Sequence, residues 1–277
     1  MKCLVCLMLC FLFYLPSKGK NSQSSIPNGD ESNPLKIEIS EYGLIFTDIL
    51  VNGQEVKAMI DFGDMHRLQL SSSLTDRLGI ETLKTDAVVF DIHGNSWDLY
   101  EGIAPKVQIG SWSEDQMTFT SQIGEMEEVS EQIGTEFHAV LGWGYFQEFF
   151  TEIDYDHESI VLYQNKQVEF AGQKGIPFSM QTGQLLFPIE TNGKEGLMML
   201  DTGSPVTLLG VPMDSILTDG LFSFRIQNQD FQIPAYIQDL SALDDLNIMG
   251  ILGGDFLSLV KLYIDPNYLK IYVKRNP

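Results

Sequence analysis

Two acids in this chain sit in the same written frame. Residues 51–64 read VNGQEVKAMIDFGD, and residues 191–204 read TNGKEGLMMLDTGS. Each copy has Asn-Gly, an apolar run and Asp-x-Gly. Eight residues separate Gly53 from Asp61, and eight separate Gly193 from Asp201. An acid that ends an apolar strand stands at the mouth of a core, partly stripped of water. The glycine after it lets the backbone come close, and nearby hydroxyls and amides can hold the carboxylate. If the two copies pack face to face, Asp61 and Asp201 meet near a pseudo-twofold axis. Two carboxylates that close cannot both ionise easily, so one keeps a proton. Such a pair holds a general base and a general acid together and can activate water against an amide carbonyl.

The elements that must position these acids are also duplicated. Residues 139–163 read AVLGWGYFQEFFTEIDYDHESIVLY, and residues 250–273 read GILGGDFLSLVKLYIDPNYLKIYV. Gly142 precedes Asp154 by twelve residues, as Gly253 precedes Asp265; Ile160 and Ile271 follow six residues later. Four anchors in one order make an internal duplication. The copies differ in length: 81 residues run from Asp61 to Gly142 but 52 from Asp201 to Gly253, so the first carries 29 more.

Short apolar runs broken by Gly, Asn and Asp predict a mostly β protein. IEIS, LIFTDILVNG, SIVLY, LLFPIETNG and LKIYVK all read as strands, and one helix is expected near residues 71–79. The polar stretch around residue 170 separates the halves. This gives a first lobe over 37–170, a second over 171–277 and a flexible lead-in over 20–36.

The first 19 residues read as a secretory signal peptide. Lys2 precedes an apolar run from Cys3 to Leu15, with Ser17 and Gly19 as small residues before a cut. The run is short for a spanning helix. The protein is therefore expected to be exported, to periplasm or medium, with no membrane partner once the signal is removed. All three cysteines (Cys3, Cys6, Cys10) fall in this segment. The mature chain then has no disulfide, thiol nucleophile or thiolate metal site. A formal net charge of −21 argues against nucleic acid, whose phosphates it would repel. His66, His93, His138 and His157 are scattered without metal-ligand spacing, so no metal or cofactor is expected. Ser204 has no evident histidine partner for nucleophilic work. Asp154 and Asp265 read as strand-end turn acids.

With the DTGS turn, its preceding strand, Ile251-Leu252-Gly253 and the second copy of the whole arrangement, the chain resembles the pepsin/retropepsin class of aspartic proteases. It most resembles the bacterial exported aspartyl proteases, in which two retropepsin-like lobes share one chain. The resemblance spans roughly residues 37–277. It implies a bilobal pepsin-like fold of two β-barrel lobes, and an aspartic endopeptidase that works as a monomer on peptide or protein substrates. The catalytic aspartates would be Asp61 and Asp201, sharing one proton as the family does. Gly63, Gly203 and Ser204 would border the substrate. Val140-Leu141-Gly142 and Ile251-Leu252-Gly253 would pack beneath the turns. The hairpin AVVFDI-HGN-SWDLY would be the flap, with its tip near His93, Gly94 and Asn95 and with Trp97 and Tyr100 as substrate contacts.

The first turn departs from the family pattern. Phe62 stands where a threonine hydroxyl normally braces the two turns, so half of that brace should be missing while Thr202 supplies the other. Asp64 replaces a small or hydroxyl residue and adds charge beside the dyad. These two exchanges sustain an alternative reading: a protease-like protein that binds peptides or a partner without cleaving them.

Overall fold

A computed structural model describes residues 32–90, 96–123, 125–164, 174–181, 183–210 and 217–276. The protein is mostly β, and its strands form three sheets. The expected signal peptide, the expected boundary near residue 170 and the expected flap tip at His93, Gly94 and Asn95 lie outside the described residues.

Each half begins with the hairpin that ends in a candidate acid. Strand Ile45–Val51 turns through Asn52-Gly53 into strand Gln54–Asp61, with Val51 opposite Gln54. Strand Gln184–Thr191 turns through Asn192-Gly193 into strand Lys194–Leu200, with Thr191 opposite Lys194. Both two-residue turns carry positive φ at both positions: 52° and 81° in the first, 51° and 71° in the second. That geometry matches the twist of paired strands and is the reason for Asn-Gly in each copy.

In the first half, Ala139–Gly142 lies parallel to the acid-bearing strand, with Asp61 opposite Gly142. The strands Gln69–Leu70, Trp112–Ser121 and Ser96–Ile109 continue the sheet. Pairing of Ile49–Val51 with Val107–Ile109 then closes six strands into a barrel. The second half repeats the parallel pair, with Leu200 opposite Leu252. Its sheet stays open, ending on one side in strand Leu221–Ile226 with its partners Leu217–Thr218 and Gln229–Pro234, and on the other in Tyr236–Gln238.

The third sheet is shared. Its order is Ser32–Lys36, Ser159–Tyr163, Phe150–Asp154, Val260–Asp265, Lys270–Arg275 and Ile176–Pro177. The halves meet where Thr151 lies opposite Ile264 and Asp154 opposite Lys261. Lys261 bridges Glu152 at 2.5 Å and Asp154 at 2.9 Å across this seam.

Residues 32–36, expected to belong to a flexible lead-in, are instead a strand of this sheet. Asn33, fully buried, explains the difference. Its amide donates to Ile109 O at 2.8 Å, and its Oδ1 accepts from Ser111 N at 2.7 Å. Polar composition suggested a loop, but these bonds tie the segment to the turn Gly110-Ser111. Pro34 is tolerated because the strand is an edge.

The expected helix forms over Ser72–Leu78, with the Ser71 hydroxyl accepting from Leu74 N and Gly79 ending it at φ 64°. A second helix, Glu125–Ile133, was not anticipated. Its glutamates suggest a solvated loop, yet Met126, Val129 and Ile133 recur on one face and pack with Phe46, Phe137 and Val140.

Candidate active site

The strands Gln54–Asp61 and Lys194–Leu200 run inward from their turns and become buried on both faces as they reach the acids. Asp61 is 1% exposed and Asp201 2%. Each carboxylate accepts from the amide two residues on, Gly63 N to Asp61 Oδ1 and Gly203 N to Asp201 Oδ1, both at 2.8 Å. The turns are also seated against each other. A Cβ on Gly63 would lie 2.8 Å from the Asp201 carboxyl carbon, and one on Gly203 would lie 2.5 Å from that of Asp61. Each glycine thus makes room for the other half's acid, and the two acids are brought together.

Burial, then the charge of Asp201 and the hydrogen bond between the two acids, then the charge of Asp64, hold Asp61 well above the usual carboxylate range; the Gly63 amide opposes this. Burial also raises Asp201, but hydrogen bonds from Asp61 and from the amides of Gly203, Gly63 and Ser204 pull it back. Both acids are thus raised, chiefly by burial, and the two carboxyl groups titrate as a pair.

A single hydroxyl joins the turns. Thr202 Oγ1, fully buried, donates to Ile60 O at 2.7 Å and accepts from Phe62 N at 2.9 Å. No hydroxyl answers it from Phe62, whose ring instead enters the core. It lies 5.1 Å from Trp143 and 5.0 Å from Phe146, and Trp143 in turn meets Phe178 of the second half at 6.5 Å. An aromatic cluster takes the place of the missing half-brace. Burying such a ring is worth about 2–3 kcal/mol.

Asp64, 1% exposed, is fully engaged. Its Oδ1 accepts from His66 N at 2.9 Å and pairs with His66 Nδ1 at 2.7 Å; its Oδ2 accepts from Gln69 Nε2 at 2.6 Å. Arg67 turns the other way, to Glu114 at 2.7 Å and Glu148 at 3.1 Å. Ser204, the counterpart of Asp64, is fully buried and donates to Val206 O at 2.8 Å.

The Val140-Leu141-Gly142 and Ile251-Leu252-Gly253 elements lie directly under the turns. Trp143 N donates to Asp64 O at 2.6 Å, and Gly254 N to Ser204 O at 2.8 Å. A Cβ on Gly142 would lie 2.3 Å from His66 O, and one on Gly253 2.5 Å from Ser204 O.

Strand Thr82–Phe90 and strand Ser96–Ile109 form the expected hairpin, with Phe90 opposite Ser96. Its Val89, Leu99 and Trp97 pack with Met65, the residue after Asp64. The hairpin therefore reaches the Asp61 turn. Of the two aromatic residues expected to contact substrate, Trp97 lies on that face. Tyr100 lies opposite Lys84 and Ser121 and, by strand alternation, on the other face. The structure does not bring these two together, because their odd spacing separates them.

Sequence reasoning passed over four residues around the dyad. His66 and Gln69 hold Asp64. Asp255 accepts from Thr207 N and Oγ1 at 2.9 and 2.8 Å beneath the second turn. Tyr155, buried, has its phenol pushed above the ordinary range by burial and then by the charges of Asp201 and Asp255. The one available signal was the clustering of polar types just after Asp61. Asp154 and Asp265 accept from the turn amides of His157 at 3.1 Å and Asn267 at 3.1 Å, away from the dyad. No protein-family model matches the chain, and no curated protein matches it.

Proposed function

We propose that this protein is an exported aspartic endopeptidase of the bilobal pepsin-like kind. The observation that carries the reading is the reciprocal seating of Asp61 and Asp201, each against the opposite turn's glycine, with both carboxyls raised by burial. In the reaction, Asp201 takes a proton from a water while that water's oxygen bonds to the peptide carbonyl carbon. Asp61 gives its proton to the carbonyl oxygen. The C–N bond of the resulting gem-diol then breaks as the nitrogen gains the proton now on Asp201 and Asp61 takes back one hydroxyl proton, leaving an acid, an amine and the starting pair. Neither cofactor nor covalent intermediate is needed. The hairpin with Trp97 would close over an extended peptide and favour apolar side chains. One chain supplies both acids, so a monomer suffices. Among the described residues, no helix is long and apolar enough to cross a membrane.

Cleavage of a diverse peptide pool by residues 20–277, from about pH 3 to pH 8, tests this reading, the span bracketing a shared-proton carboxylate pair. Activity should vanish in Asp201→Asn and with a transition-state-mimicking inhibitor of aspartic proteases. Folded protein that cuts nothing across the range would reject it.

The alternative, a peptide-binding protein without cleavage, draws support from Phe62 alone, since the brace across the turns comes from one side only. It predicts retained binding of the same inhibitor without turnover.

A further inference from the structure

The acid at position 64 is one of three linked exchanges. In the second turn the matching positions hold Ser204, Val206 and Leu208; Leu208 lies opposite Ile251 as Gln69 lies opposite Val140. In the first turn they hold Asp64, His66 and Gln69, joined in one hydrogen-bonded group. Small, apolar and apolar have become acidic, basic and amide together. A buried carboxylate left alone would be costly, but this one has donors on both oxygens.

Resting on the protease reading, we infer that Asp64, His66 and Gln69 form a positioning cluster that keeps a third buried carboxylate beside the dyad and thereby assigns the shared proton to Asp61. All three contacts come from groups that can donate, which is the arrangement a carboxylate accepts. Asp64 belongs to the same turn as Asp61, its amide donating to Asp61 O at 3.3 Å, and its charge is among those that raise Asp61. The other charged groups around it are accounted for. His66 is bound to Asp64 itself, and Arg67 is held by Glu114 and Glu148. On the side of Asp201, Asp255 is occupied by Thr207. The second turn itself has a hydroxyl, Ser204, in place of the third acid. Of two nearly symmetric acids, the one next to the added charge holds the proton more tightly, in line with the raised position of Asp61. Asp61 is then the group that protonates the carbonyl, and it stays protonated further toward neutral pH than a dyad with two hydroxyl-bearing turns.

The test is the pH titration of the aspartate carboxyl ¹³C signals in the mature protein, with Asp61 assigned by its loss in Asp61→Asn. In Asp64→Asn, Gln69 can turn its amide so that Oε1, which has no partner, accepts from the new side chain. The fold is therefore expected to survive. The Asp61 signal should titrate about one pH unit lower than in the unaltered protein, a ~tenfold weaker hold on the proton. The combined Asp64→Ser, His66→Val, Gln69→Leu variant recreates the second turn's set and should shift the signal the same way, serving also if Asp64→Asn does not fold. In an active enzyme, the alkaline limb of kcat/KM should move down by the same amount. An unmoved Asp61 titration in these variants, with stability alone reduced, would overturn the inference. Because the titration needs no substrate, an inactive protein with a shifted Asp61 signal rejects the protease reading and keeps this one. An active protein with an unshifted signal does the opposite.

Discussion

Replacing Thr202 by valine removes one oxygen and almost nothing else. The side chain is fully buried, and valine has nearly its shape, so no cavity opens and no packing is lost. What goes is the pair of bonds to Ile60 O and from Phe62 N. Both groups belong to the backbone on either side of Asp61, and each would be left buried with a methyl in front of it. An orphaned buried backbone group costs about 1–3 kcal/mol. Two of them give about 2–6 kcal/mol, and partial relaxation places the expected loss near 3 kcal/mol. Urea unfolding should show the midpoint falling with an unchanged slope. The same substitution frees the Asp61 turn from the second half, so turnover should fall by about a hundredfold, the cost of roughly an ångström of misplacement. Substrate affinity should fall much less. A Thr202→Ser variant keeps the oxygen and should restore most of both quantities. Loss of less than about 0.5 kcal/mol in the valine variant, the range of an ordinary surface change, would refute the argument. It would mean that the aromatic cluster around Phe62 joins the halves without the hydroxyl.

Three further outcomes follow from the site. Gly203→Ala would put a methyl 2.5 Å from the Asp61 carboxyl carbon, so it should abolish peptide cleavage while an inhibitor-free thermal melt still shows a folded protein. Asp61→Asn should stabilise the protein at neutral pH. The native state binds the Asp61 proton more tightly than the unfolded chain, so wild-type stability falls as pH rises from about 3.9 toward the raised value. The gain should appear across that window in denaturation curves and disappear below it. Arg67→Met should cost about 1.5–3 kcal/mol in urea unfolding, because it removes the cation that Glu114 and Glu148 share. Changing Arg67 and Glu114 together to apolar residues should recover much of that loss.

The pair of acids was legible because duplication writes a spatial relation into the chain. Two equal spacings from Asn-Gly to Asp-x-Gly imply two equal hairpins, and the structure builds both with the same turn. The glycine motifs beneath them were legible for the same reason. Other features rest on contacts between distant residues, which leave no local period. The strand at 32–36 exists because Asn33 finds Ile109 and Ser111, and its own composition argues for a loop. Phe62 could be read as a lost hydroxyl, but its gain of Trp143 and Phe146 could not be read before the fold placed them. Asp64 looked like an unrelieved charge. Its relief by His66 and Gln69 was within five residues, yet alternation and spacing assign no bond to a polar side chain. Helix Glu125–Ile133 was the legible feature passed over, since its apolar positions recur at helical spacing under an acidic composition.

The shared six-stranded sheet also dictates an order of events in time. Phe150–Asp154 has its partner on one side, Ser159–Tyr163, as soon as the first half is made. Its other edge stays open until Val260–Asp265 arrives. Ile176–Pro177 waits longer still, for Lys270–Arg275. The sheet that joins the two halves is incomplete before residues 260–275 are made. A nascent or truncated chain that stops short of residue 260 thus lacks the strand that joins the two halves. The same topology leaves a strand edge exposed in any fragment ending before residue 260, which makes such fragments prone to pair with one another.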